Sequence, residues 1–168
     1  LVNAAMHLKD PVVVLEHDAD LYKATGPAPK SDWNYILPPG QAAIRRAGSA
    51  VTVLSYLAMV GKSVEAAEKA GVDAEVIDLR WLDRASLDWT TIEASIRKTN
   101  KVVIVEQGSL GTSYGGWLAD EIQRRYFDWL DAPVGRVVGT ESSPSISRVL
   151  EAAALANVDD IVDAMTTI

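Results

Sequence analysis

The chain has 168 residues, 48% apolar and 23% charged, a balance that suits one folded domain of ordinary size and argues against wholesale disorder. It contains no cysteine and only two histidines, His7 and His17, which removes disulfides, thiolate nucleophiles, cysteine-ligated metals and histidine-rich metal cages. The net charge of −7 has the wrong sign for a nucleic-acid surface, Arg124-Arg125 is too small a basic cluster to supply one, and no apolar run approaches a membrane span.

Leu1 to Leu8 reads as a short helix, followed by a β-branched run at Val12-Val13-Val14 that predicts a strand. The opening residues lack the basic and apolar regions of a secretory leader and do not begin with Met. The chain is therefore expected to be a processed piece or fragment of a longer, soluble, cytoplasmic protein. From Asp18 to Gln41 no periodicity is sustained, and Gly26-Pro27-Ala28-Pro29 and Leu37-Pro38-Pro39-Gly40 predict an extended connector. One short helix and one strand cannot bury a core. Residues 1–17 are thus expected to be the tail of a preceding domain, 18–41 a linker and 42–168 the main domain.

Further strands are predicted at Val51-Thr52-Val53-Leu54, Ala74-Glu75-Val76-Ile77, Val102-Val103-Ile104-Val105 and from Val134 to Val138. Several are apolar at consecutive positions, which suits strands covered on both faces. Between them, Val60, Val64 and Ala67 mark a helix ended by Gly71, with Glu65 and Lys69 as an i, i+4 pair. Thr90-Thr91-Ile92-Glu93 predicts a capping box opening a helix that buries Ile92 and Ile96. Leu118 and Ile122 mark another helix, and Val158, Ile161, Val162 and Met165 a last one. This alternation predicts an α/β domain of three layers, a mainly parallel sheet flanked by helices.

Candidate chemistry is sparse. Gly108 to Gly116, between a strand and a helix, could cradle a phosphate on backbone amides, or could be a turn and a close packing contact; no established phosphate-loop spacing is present. Glu106 could hold a carboxylate at the sheet edge where open α/β folds place ligands, or bond to the glycine loop. Asp78 and Arg80 could fix a loop or face an anion. His17 could act as a base, or could cap the strand end or face a neighbouring subunit; it has no nucleophile near it to make a triad. Trp81, Trp89, Trp117 and Trp129 suit either an interface or the core. No self-sufficient active site can be assembled from these residues.

Several segments, taken together, resemble the β-subunits of thiamine-diphosphate-dependent 2-oxo acid dehydrogenases of the pyruvate, branched-chain 2-oxo acid and acetoin types. They are Pro11 to Glu16, Leu37 to Ile44, Gly48 to Tyr56, Val64 to Ala67, Ala74 to Arg80, Leu87 to Asn100, Val103 to Glu106, Leu130 to Pro133 and Val149 to Ala153, in the family's order over nearly the whole chain. The match is to the family's C-terminal half and implies a fold like the transketolase C-terminal domain. It also implies that residues 1–17 end a pyrimidine-binding domain, whose catalytic Glu and His lie earlier. Thiamine diphosphate and Mg²⁺ would then belong to the complete enzyme and not to this chain, which alone would be inactive.

The resemblance further implies an E1 α-subunit or α-domain and a second β-subunit as partners. Docking of the E2 component's peripheral subunit-binding domain would fall to Asp131 and to the chain-terminal carboxylate of Ile168. Asp131 could equally start a turn before Pro133. The chain departs from the family pattern at Trp81 to Asp88, at Gly115-Gly116-Trp117-Leu118 and at Ser143-Pro144-Ser145-Ile146. Two other readings stand beside this one: a free-standing interaction module of the same fold, and a fragment of a transketolase or 1-deoxyxylulose-phosphate synthase.

Overall fold

The computed structural model describes residues 1–18, 34–141 and 146–168. In chain order the elements are α1 (Val2–His7), β1 (Ala43–Arg46), β2 (Val51–Ser55), α2 (Ala58–Ala70), β3 (Ala74–Asp78), α3 (Trp89–Thr99), β4 (Val102–Ser109), α4 (Tyr114–Tyr126), a 3-10 turn (Phe127–Trp129), β5 (Gly135–Gly139), α5 (Arg148–Ala154) and α6 (Val158–Thr167). The strands form one sheet in the order β1-β3-β2-β4-β5. Among the described strands the edge strand β1 alone runs antiparallel.

The winding explains the layers. From β2 the chain moves outward to β3 through α2, then crosses back over β2 to β4 through α3. Parallel crossovers are right-handed, so opposite directions of travel put α2 and α3 on opposite faces. Side chains alternate accordingly. Val51, Val53, Val103 and Val105 join Met59, Ala66, Ala67, Ile161 and Met165 on one side. Leu54, Ile77, Val102 and Ile104 join Ile92, Ile96, Leu118 and Ile122 on the other. All five residues of β2 and the first five of β4 are buried, which is why Val102 to Val105 shows consecutive rather than alternating apolar positions. Among the polar members, Thr52 Oγ1 meets Ser95 Oγ at 2.6 Å and Thr99 Oγ1 at 2.7 Å, so the buried hydroxyls satisfy one another.

Four of the five predicted strands are present. The exception is Val12-Val13-Val14: residues 11–17 form neither strand nor helix, and Val13 is 84% exposed. A strand needs a neighbour to complete its ladder, and no strand of the described sheet lies beside these residues. The helix predicted at Leu1 to Leu8 is α1. Most of the connector predicted at 18–41, and Ser143 to Ser145, lie outside the described residues.

Local details correct one expectation and add to two others. The capping residue of α3 is Asp88, two positions before Thr90: its Oδ1 accepts the Thr91 N–H at 3.0 Å and its Oδ2 accepts the Ala42 N–H at 2.9 Å. Asp88 therefore caps the helix and ties it to the residue before β1. On α2 the most deeply buried stripe is Met59, Ser63, Ala66 and Ala67, with Val60 and Val64 on its flank against α6. Lys69 forms its ion pair across the interface with Asp159 of α6, and Glu65 on its own helix adds a weaker attraction. Gly71 ends α2 in the left-handed region at φ 63°, as its position predicts.

Candidate functional site

Two ends of the sheet carry the residues that sequence reasoning singles out. In the C-terminal half of β4, Glu106 is completely buried. Its Oε1 accepts from Ser113 Oγ at 2.7 Å, both carboxylate oxygens accept the Gly115 N–H at 3.0 and 2.8 Å, and Oε2 accepts from Tyr56 Oη at 3.0 Å. Arg136 Nη2, from β5, stands 3.3 Å from Oε1 and also donates to Ser113 Oγ at 2.9 Å. A buried carboxylate is tolerable only when paired and hydrogen-bonded, and Glu106 is both. It also sits at the N-terminus of α4, where the helix dipole favours negative charge.

This arrangement decides between the two readings of the glycine loop. The helix N-terminus already closes on an anion supplied by the chain itself. A Cβ at position 115 would lie 2.2 Å from Glu106 Oε1, so the glycine exists to let that carboxylate in. With the Gly115 amide taken and a buried carboxylate at the helix N-terminus repelling a second anion, the residues here do not fit the diphosphate of thiamine diphosphate. Among the described residues no group of three His, Asp or Glu side chains could hold a metal ion. The tyrosines beside Glu106 are poor bases as well. Burial, then the charge of Glu106, pushes the Tyr56 hydroxyl far above its ordinary value, and burial raises Tyr114 to about 12. Both phenols stay protonated at physiological pH.

Asp78 and Arg80 have a structural role. Asp78 Oδ1 accepts the Arg80 N–H at 3.2 Å, and Oδ2 takes Arg45 Nη2 of β1 at 2.7 Å. The pair thus fastens the antiparallel edge strand to β3. Arg80 itself sits at φ 60°. His17 is half-buried in the segment before the connector.

At the opposite end, consecutive residues Asn100 and Lys101, between α3 and β4, hold the two predicted docking positions. The Asp131 N–H donates to Asn100 O at 2.9 Å, and Lys101 Nζ donates to the main-chain oxygen of Ile168 at 2.8 Å. Asp131 is exposed and Ile168 half-buried. Asn100, at φ 58°, also donates from Nδ2 to Trp129 O at 2.6 Å. One αL residue therefore caps α3 and fixes both the 3-10 turn and Asp131. The tryptophans divide: Trp89 and Trp117 meet edge-on, 6.3 Å apart, under Arg125 and Arg84. Trp129 is 40% exposed at this lower end.

Sequence reasoning did not identify Tyr56, Ser113 and Arg136 as the partners of Glu106. The available signal was Arg136 itself, a lone charge inside an otherwise apolar strand run.

Comparison with known proteins now gives the family. Residues 40–161 match the family model described as "Transketolase, C-terminal domain". The chain belongs to the transketolase C-terminal domain family. This transketolase C-terminal domain is 40% identical over 98% of its length to the rice (Oryza sativa subsp. japonica) protein "Pyruvate dehydrogenase E1 component subunit beta-2, mitochondrial", of which it covers 44%. It is 34% identical over its whole length to "Pyruvate dehydrogenase E1 component subunit beta" of Rhizobium meliloti (strain 1021), covering 36% of that protein. Among solved structures, "Split gene transketolase, inactive beta4 tetramer" superposes with a TM-score of 0.66 at 25% identity, over 84% of this chain and 46% of the other. The chain thus spans less than half the length of these relatives. No described helix is long and apolar enough to cross a membrane.

Proposed function

We propose that this chain is the C-terminal domain of an E1 β-type subunit of a 2-oxo acid dehydrogenase, serving assembly and partner docking rather than chemistry. The observation that carries the reading is the match of 98% of the chain to 44% of a pyruvate dehydrogenase E1 β-subunit at 40% identity. A transketolase fragment is the second reading, favoured by the structural neighbour; its 25% identity ranks it below. In the proposed enzyme, thiamine diphosphate and Mg²⁺ are held elsewhere, by an E1 α-subunit and by a preceding pyrimidine-binding domain of which residues 1–17 are the tail. The exposed apolar run from Val12 to Leu15 suits such a junction.

Residues 18–41 then link the two domains, and a second β-subunit completes the assembly in the cytoplasm. Asp131 and the terminus at Ile168 face the E2 subunit-binding domain. Their attachment to neighbouring residues Asn100 and Lys101 supports a single footprint. The test is to purify the complete gene product with its α-type partner. The reading expects thiamine-diphosphate-dependent decarboxylation of a 2-oxo acid and acyl transfer to lipoyl E2 by the assembly. It also expects no turnover from the 168-residue chain. Ketol transfer between sugar phosphates with no 2-oxo acid decarboxylation would establish the transketolase reading instead.

A further inference from the structure

The 3-10 turn after α4 exposes two aromatic rings beside uncompensated acid. Phe127 is 67% exposed and Trp129 is 40% exposed, with exposed Asp128 between them and exposed Asp131 two residues on. Single exposed apolar residues are ordinary; two large exposed aromatics within one turn are less so. The Trp129 end of the turn is fastened to α3. Arg97 of α3 stacks over the Trp129 ring at 4.1 Å, Asn100 Nδ2 holds the Trp129 carbonyl, and Asn100 O holds the Asp131 N–H.

The charge balance is as informative as the apolar surface. Arg97 is engaged by Glu93 at 2.7 Å, Arg124 and Arg125 by Asp120 and Glu121, and Lys101 by Ile168 O. No ion pair among the described residues includes Asp128 or Asp131. The turn therefore carries exposed apolar surface together with net negative charge from Asp128 and Asp131. An interface centre of aromatic anchors within a polar rim is the usual layout of a binding hot spot.

We infer that Phe127 and Trp129 form the apolar centre of the docking footprint, and that its occupant is a basic protein module seating an apolar side chain on Phe127 between cations that meet Asp128 and Asp131. This rests on the docking reading proposed above and adds the determinant of affinity to it. The division of labour is physical. Carboxylates at the rim govern approach and salt dependence, whereas the aromatic centre governs how long the complex lasts. Arg97 and Asn100 act as positioning residues for the turn.

The test uses the complete subunit assembled with its α-type partner and, as probe, the isolated subunit-binding domain of the cognate acyltransferase core. Affinity is measured by calorimetry at several salt concentrations. Phe127→Ser should weaken binding at least tenfold and leave the slope of log K against log[salt] unchanged. Asp131→Asn should make that slope shallower. A Phe127→Leu variant, which keeps apolar surface, should recover most of the affinity. Should the wild type bind with Phe127→Ser within twofold of it, the aromatic centre is refuted while docking stands. Should the wild-type assembly not bind the module, the docking reading fails and this inference falls with it.

Discussion

Replacing Glu106 by alanine removes one acceptor group from a site that keeps all its donors. Ser113 Oγ, the Gly115 N–H and Tyr56 Oη each lose a partner, and Arg136 is left with Ser113 Oγ and the Leu110 carbonyl. Breaking a buried ion pair from one side costs about 3–5 kcal/mol, because the remaining charge stays desolvated without its counterion. Arg136 retains 20% exposure and two other contacts, so the lower figure, about 3 kcal/mol, is expected. For a domain of this length roughly 2–4 °C is lost per kcal/mol, giving a fall in Tm of about 6–12 °C. Urea denaturation followed by tryptophan fluorescence reads the loss directly. Glu106→Gln keeps an acceptor for the Gly115 N–H and should cost less, about 1–2 kcal/mol. A Glu106→Ala chain within about 1 kcal/mol of wild type would refute the claim that this carboxylate is the structural anchor of α4.

Three further outcomes follow from the same geometry. Gly48→Ala places a Cβ 2.3 Å from the Ala74 carbonyl carbon, and displacing that backbone should cost about 3 kcal/mol or more in chemical denaturation. Leu57 holds φ 52° and ψ −140°, a region suited to glycine, and its side chain is 42% exposed; Leu57→Gly should therefore raise stability, by about 1 kcal/mol, in the same assay. Asp88→Ala should cost about 1 kcal/mol at pH 7 as a lost helix cap. Burial pushes the Asp88 carboxyl upward, but hydrogen bonds from Thr91 and Ala42 outweigh it and hold the group below its usual 3.8. A carboxylate with a depressed folded-state pKa stabilises above its unfolded pKa and loses that contribution as pH falls through the folded value. Wild type and Asp88→Ala should thus converge in Tm below pH 3.8; a constant gap into stronger acid would contradict the assignment.

The sheet's interior was legible because burial on two faces writes itself into sequence as consecutive apolar residues, as at Val102 to Val105. The edge strand β1 was not. Ala43-Ile44-Arg45-Arg46 has two charges in four residues and is half-solvated, with its register broken by a bulge, so neither period nor composition marks it. Helix α5 was missed for a related reason: it buries none of its residues within the described chain, and so carries no stripe. The Val12 to Val14 run erred the other way, since strand propensity says nothing about whether a neighbouring strand exists. At the site, Glu106 could be marked as a carboxylate at a sheet edge. Its partners come from the residue after β2, the α4 N-terminus and β5, separations of up to 50 residues that no local pattern encodes. Position 115 had to be glycine because of a side chain nine residues away, a constraint visible only once the strand and helix are packed.

The central claim is that this domain assembles and docks while other parts of the enzyme perform the chemistry. The most direct measurement compares the complete subunit with one lacking residues 40–168, each mixed with the α-type partner and lipoyl E2, for subunit association and 2-oxo acid-dependent reduction of NAD through the full complex. The account predicts that the truncated subunit neither assembles nor supports turnover. It also predicts that Asp131→Asn in the complete subunit leaves decarboxylation by the E1 assembly intact while weakening its recruitment to E2. Full complex activity from the truncated subunit, or loss of E1 decarboxylation on Asp131→Asn alone, would contradict it.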